Sequence, residues 1–309
     1  MKKAILLFPG QGSQFEGMGK DIYENFPEAK KIYDLADEKL GDSVSALSFE
    51  GGDRLNLTEN TQPAILTHSI AVWEIIKGFG FEVVAAAGHS LGEYSALTAA
   101  ESLSFEDAVG AVRNRGRFMQ EAVPEGVGGM AAILNLSPEK IEEICNSESI
   151  KGHVSVANYN SPDQTVVTGK MKELDEVIAL CEEAGAKRCV KLPVSAPFHS
   201  PLIKPAAENM NTYLKDITFN DPKFPVYRNV DVKASDRGEE YKLKLVEQVT
   251  GSVRWVETIE TLAKIDHDFA LEIGPGKVLM GLGRKICRDM KIIPVSDTNS
   301  INKLQEMIK

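Results

Sequence analysis

Gly88-His89-Ser90-Leu91-Gly92 is the stretch of this sequence best equipped for chemistry. It follows an apolar run, Val83 to Ala87, and leads directly into a helical pattern from Ser90 to Ala100. A Gly-x-Ser-x-Gly string between a buried strand and a helix is the setting of a nucleophile elbow. The glycines let the backbone turn sharply, so the Ser90 hydroxyl would project at the edge of a sheet. The Leu91 N–H, at the helix N-terminus, would face an oxyanion forming beside it. Covalent catalysis through Ser90 is the chemistry this predicts. The plainer reading is a serine capping a helix between two packing glycines.

A serine nucleophile needs a group to take its proton. The chain has five histidines: His68, His89, His153, His199 and His267. His89 adjoins the serine, but neighbours at such a turn point apart, so it is read as a packing residue. His68 lies among apolar residues in a helical pattern and reads as structural. His153 and His267 lie in polar surroundings that predict surface loops. His199 sits in Pro193-Val194-Ser195-Ala196-Pro197-Phe198-His199-Ser200-Pro201, a segment framed by prolines, which fix the path of a loop. It is the candidate base; a satisfied core histidine is the alternative.

Arg113, Arg115 and Arg117 follow in one helical pattern opened by Ser104, with Asp107 three residues on as a capping box. Its apolar stripe is Phe105, Ala108, Val109, Val112, Gly116 and Met119. At about 100° per residue Arg115 falls inside that stripe, whereas Arg113 and Arg117 fall outside and are expected to be solvated. An inward guanidinium requires a partner. That partner is either an internal acid or the carboxylate of a substrate, which the planar fork of arginine grips in bidentate fashion.

Elements to hold these residues are legible along the chain. Ala4–Phe8 and Val83–Ala87 read as buried strands, and Thr61-Gln62-Pro63 predicts the start of a helix running through Trp73 to Gly78. Alternating strands and helices indicate a parallel sheet covered by helices. From Met130 the pattern changes. Met130–Leu134, Val154–Ala157, Thr165–Thr168 and Arg188–Leu192 read as strands, with helices at Ser137–Cys145 and Lys172–Ala184. This β-α-β-β-α-β order matches a ferredoxin-like unit. The larger layer resumes afterwards, with Phe269–Ile273 as a strand before Gly274-Pro275-Gly276. The predicted fold is α/β, with 1–126 and 196–309 as one domain and 127–195 inserted into it.

The chain has 309 residues, 43% hydrophobic and 26% charged, with a formal net charge of −10. That charge argues against nucleic acid as the main partner. No apolar run approaches the ~18–20 residues that span a bilayer, and Ala4–Phe8 is too short for a signal-peptide core. A cytoplasmic protein is expected. Cys145, Cys181, Cys189 and Cys287 show no metal spacing and are expected to be buried, reduced thiols. Gly10-Gln11-Gly12 is not a dinucleotide fingerprint, because Phe15 stands where the third glycine would be.

Together these strings resemble the malonyl-CoA:acyl carrier protein transacylase family, related to the acyltransferase domains of polyketide and fatty acid synthases. The resemblance is carried by Phe8-Pro9-Gly10-Gln11-Gly12-Ser13-Gln14, Thr61-Gln62-Pro63-Ala64, the elbow through Glu93-Tyr94, and Arg115-Gly116. Asn158-Tyr159-Asn160-Ser161-Pro162, the segment ending at His199, Asn229-Val230-Asp231 and Gly274-Pro275-Gly276-Lys277 extend it along nearly the whole chain. It implies an α/β-hydrolase-like core with an inserted ferredoxin-like domain. It implies Ser90 as nucleophile, His199 as base, and the backbone N–H groups of Gln11 and Leu91 as the oxyanion hole. Arg115 would grip a malonyl carboxylate, and the backbone carbonyl of Gln248 would orient His199. Phe198 stands where some relatives have serine, and in polyketide relatives phenylalanine there accompanies malonyl rather than methylmalonyl.

The implied activity is transfer of malonyl from malonyl-CoA to the phosphopantetheine thiol of acyl carrier protein, supplying fatty acid synthesis. No cofactor is implied, coenzyme A and phosphopantetheine being parts of the substrates, and a monomer is the family expectation. An acidic carrier would need a local basic patch, for which Lys187, Arg188 and Lys191, or Arg284, Lys285 and Arg288, are candidates. A trans-acting polyketide acyltransferase, a serine thioester hydrolase and a non-catalytic carrier-binding module are the other readings.

Overall fold

The computed structural model describes residues 1–194 and 196–309. Among the described residues nine strands, numbered in chain order, form two sheets. They are β1 (Lys3–Phe8), β2 (Glu82–Gly88), β3 (Gly128–Leu134), β4 (Val154–Ser161), β5 (Gln164–Lys170), β6 (Arg188–Lys191), β7 (Val226–Tyr227), β8 (Phe269–Ile273) and β9 (Ile292–Val295). One sheet is parallel throughout, in the order β7-β2-β1-β8-β9. Its central strand β1 is apolar from Ala4 to Phe8 because it is buried on both faces. Ala4, Leu6 and Phe8 of β1 join one core cluster, and Ile5 and Leu7 join another. Successive side chains of a strand point to opposite faces, so these clusters are the two sides of the sheet.

The second sheet is antiparallel, in the order β4-β5-β3-β6. Ala131 and Ile133 of β3 pack with Ile141, Leu174 and Val177 from the helices Pro138–Cys145 and Met171–Glu183. Met130 and Ala132, on the other face, join the large core. The second sheet therefore turns its own helices outward and its bare face toward the parallel layer. The expected boundary at 195 falls on Ser195, outside the described residues.

Three expectations are corrected. The helix expected from Thr61 begins at Thr58 and runs to Ile76, with Pro63 inside it. Proline cannot donate to the carbonyl four residues back. That carbonyl, Glu59 O, accepts instead from Arg113 Nη1 at 3.3 Å. Arg113 is thus not a solvated charge: it also bonds Asn60 Oδ1 and pairs with Asp42 at 2.6 Å. Arg117 is exposed as expected. Of the cysteines, all free, Cys145 and Cys181 are buried but Cys189 and Cys287 are only partly so.

The helix Phe105–Glu121 crosses Thr58–Ile76 closely at Gly116, where a Cβ would lie 2.7 Å from the Glu59 backbone. Only glycine fits that approach, and it carries Arg115 to Gln62. Ser104 caps the helix by accepting from Asp107 N at 3.1 Å, while its hydroxyl donates to the Asp107 carboxylate at 2.8 Å.

Candidate active site

The elbow is built by steric exclusion. A Cβ on Gly88 would lie 1.9 Å from the Gly92 backbone, and one on Gly92 would lie 2.2 Å from Phe8 O. Between them Ser90 takes φ 52°, a left-handed value that a non-glycine residue holds only when its surroundings enforce it. Its N–H donates to Asn229 Oδ1 at 2.7 Å, and Asn229 Nδ2 donates to Gly88 O at 2.7 Å. One amide side chain therefore clasps the turn on both sides of His89.

Ser90 Oγ lies 2.8 Å from His199 Nε2. The other ring nitrogen, Nδ1, lies 2.9 Å from Gln248 O and 3.1 Å from Gly251 O. Carbonyl oxygens only accept, so Nδ1 carries the proton and Nε2 is free to accept from the serine. His199 is only 4% exposed. Burial, and then the positive charge of Arg115, push the ring down to about 3, which keeps it neutral.

Arg115 is 1% exposed, and its partners are neutral. Nη1 donates to Gln62 Oε1 at 2.9 Å, and Nη2 donates to Gln248 Oε1 at 2.9 Å and to Ser90 Oγ at 3.0 Å. Its Nε has no partner, and among the described residues no carboxylate forms a salt bridge with it. The internal-acid alternative is thereby removed. A guanidinium keeps its charge at any ordinary pH, so the site holds a cation with no acid in direct contact, beside a hydroxyl already bonded to an imidazole.

These groups open into a cavity of about 110 Å³. Gln11 and Leu91 line it next to Ser90, with Gln62, Arg115, Met119 and Phe198. Met130, Asn158, Leu192 and Val194 close it from the antiparallel side. His89 also lines the cavity; its Nε2 lies 2.8 Å from Asn160 Oδ1 and its ring rests edge-on against Trp255. His68 is buried against Tyr33 and pushed down to about 4 by burial. His153 and His267 are partly buried and do not line the cavity.

Sequence reasoning missed three contributors: Asn229, Glu93 and the Gln248 side chain. Glu93 is fully buried, and burial pushes its carboxyl up to about 7. A lone acid in the otherwise apolar or small-residue run Gly92–Ala100 was the available signal.

A parallel α/β layer carries Ser90 on its elbow at φ 52°, with a neutral imidazole at 2.8 Å, an arrangement able to support acyl transfer or ester cleavage. The chain belongs to the acyl transferase domain family, whose sequence profile matches residues 5–307. It is 47% identical to the malonyl CoA-acyl carrier protein transacylase of Bacillus subtilis (strain 168), over all of this chain and 98% of that one. Identity to the Haemophilus influenzae protein of the same name is 43%, covering each in full. Among solved structures, the malonyl CoA-acyl carrier protein transacylase of Coxiella burnetii matches with a TM-score of 0.96 at 37% identity, over 100% of this chain and 98% of that one. A malonyl-transacylase solved in complex with its type II PKS acyl-carrier protein matches at 0.95 and 41%, over 99% of this chain and all of the other.

Proposed function

We propose that this chain moves malonyl from malonyl-CoA to the phosphopantetheine thiol of an acyl carrier protein, supplying fatty acid synthesis. One observation carries the reading: Arg115, buried and without an acidic partner, reaches 3.0 Å from the nucleophile candidate Ser90. A permanent cation there suits an acyl group that ends in a carboxylate. The proteins most similar to it bear the name of this activity.

In the first half-reaction His199 Nε2 takes the Ser90 proton while Oγ attacks the thioester carbon. The carbonyl electrons move onto oxygen, which the N–H groups of Gln11 and Leu91 stabilise; losing one such donor typically costs about 2.7–4 kcal/mol. The intermediate collapses, the C–S bond breaks, and the proton on His199 passes to the departing coenzyme A sulfur. The carrier thiol then gives its proton to His199 and attacks the malonyl ester, and Ser90 recovers its proton as it leaves. Arg115 holds the malonyl carboxylate throughout. The Gln248 and Gly251 carbonyls hold the ring tautomer without adding charge.

The same reading takes 127–195 as an inserted domain on a catalytic domain of 1–126 and 196–309, in a monomeric cytoplasmic protein. Among the described residues no helix is long and apolar enough to cross a membrane. Of the basic candidates for the carrier, Lys191 is paired with Asp175 and Lys285 with Asp163. Lys187, Arg188, Arg284 and Arg288 are exposed and are the better choices.

Mass spectrometry after mixing with malonyl-CoA tests this. A malonyl adduct on Ser90, discharged by added holo carrier protein and absent in Ser90→Ala, is expected. Release of coenzyme A with free malonate and no adduct would instead indicate a thioester hydrolase.

A further inference from the structure

Glu93 underlies both halves of the site. It lies in the first turn of the helix Gly92–Ala99, fully buried, with no salt bridge among the described residues. Its Oε2 accepts from Asn229 N at 2.9 Å and from Gln248 Nε2 at 2.8 Å, and Oε1 has no partner. A buried, unpaired carboxylate is costly, and packing alone would be met by leucine. Its two partners lead to different reacting groups. Asn229 holds the serine turn. Gln248 donates through Nε2 to Ser90 O at 3.1 Å and accepts through Oε1 from Arg115.

The two ends of a glutamine amide have nearly the same shape and opposite hydrogen-bonding character. Glu93 Oε2 and Ser90 O are both acceptors, so together they draw the NH₂ end of Gln248 toward themselves. Only then does Oε1 face the guanidinium. Turned over, the amide would present its hydrogens to the hydrogens of Arg115. We propose that Glu93 is a positioning residue for acyl selection: it fixes the sense of the Gln248 amide and, through it, the direction of Arg115. The proposal rests on the reading of Arg115 as the malonyl clamp.

The test is the ratio of kcat/KM for malonyl-CoA to that for acetyl-CoA, with holo carrier protein as acceptor. Loosening of the serine turn slows both substrates alike and leaves the ratio unmoved, whereas loss of Arg115 direction lowers it. Glu93→Leu removes the acceptor and is expected to lower the ratio about tenfold or more. Glu93→Gln keeps an oxygen able to accept both N–H groups and should hold the ratio within about threefold. Gln248→Met should lower it as Glu93→Leu does, and the double variant should fall no further. An unchanged ratio in Glu93→Leu, or additive losses in the double variant, overturns the proposal. So does an unchanged ratio in Gln248→Met, which needs no alteration at Glu93; Glu93→Ala replaces Glu93→Leu if the latter does not fold. If Arg115→Ala itself leaves the wild-type ratio unmoved, the clamp reading fails first.

Discussion

The two walls of the cavity differ in kind. On the parallel-sheet side Ser90, His199, Arg115 and Gln62 are polar and tied together, directly or through the buried Gln248, at 2.8–3.0 Å, with Leu91, Met119 and Phe198 as the apolar residues there. On the antiparallel side Met130, Leu192 and Val194 are apolar, with Asn158 the polar exception. The first wall fixes donors and acceptors in advance, which is what stabilises charge as it develops. The second needs only to exclude water and limit the size of the acyl group. Further polar residues there would compete for the carboxylate that Arg115 is proposed to hold.

The difference can be sharpened first on the polar wall. Because burial and Arg115 hold His199 down to about 3, its Nε2 stays a base at pH 5. An ordinary imidazole, with pKa about 6.5, would be almost wholly protonated there and roughly 30-fold less active than at pH 8. The rate of Ser90 acylation, followed by rapid quench, should show no such loss between pH 8 and 5. Glu93, pushed up to about 7, gains a proton in this range. Its unpartnered Oε1 can carry that proton, leaving Oε2 to accept as before, so Glu93→Gln should give the same profile. A limb near pH 6.5 would mean that the ring is solvated. At the apolar residues of the lining smaller effects are expected. Phe198 is buried and lines the cavity, where it would narrow the proposed acyl site. Phe198→Ser should raise methylmalonyl transfer relative to malonyl by about tenfold, the scale set by one extra methyl group in a pocket. No change in competition between the two coenzyme A esters would remove Phe198 from the selecting surface.

Much of this arrangement is written in local pattern. The elbow is contiguous in sequence, so strand, turn and helix can be read together, and the apolar stripe of one helix is enough to turn Arg115 inward. The order of strands and helices from 128 to 191 carries the second sheet. What escapes is whatever depends on residues far apart in the chain. The same stripe that turns Arg115 inward makes Arg113 look solvated, because Asp42, Glu59 and Asn60 cover it from other segments. Pro63 reads as a first-turn residue because the sequence does not show that an arginine takes over its orphaned carbonyl. The two-residue strand β7 is too short for periodicity to register. The contacts of Glu93 with Asn229 and Gln248 span more than a hundred residues and exist only in the folded chain.

Arg115→Ala, assayed with malonyl-CoA and acetyl-CoA side by side, addresses the central claim most directly. Removing a buried group that pairs with one substrate and not the other can shift discrimination by up to ~10⁴-fold. Malonyl transfer should fall by at least about a hundredfold more than acetyl transfer. Equal losses for both esters would mean that the guanidinium supports the serine alone, and the proposed choice of a carboxylated acyl group would be contradicted.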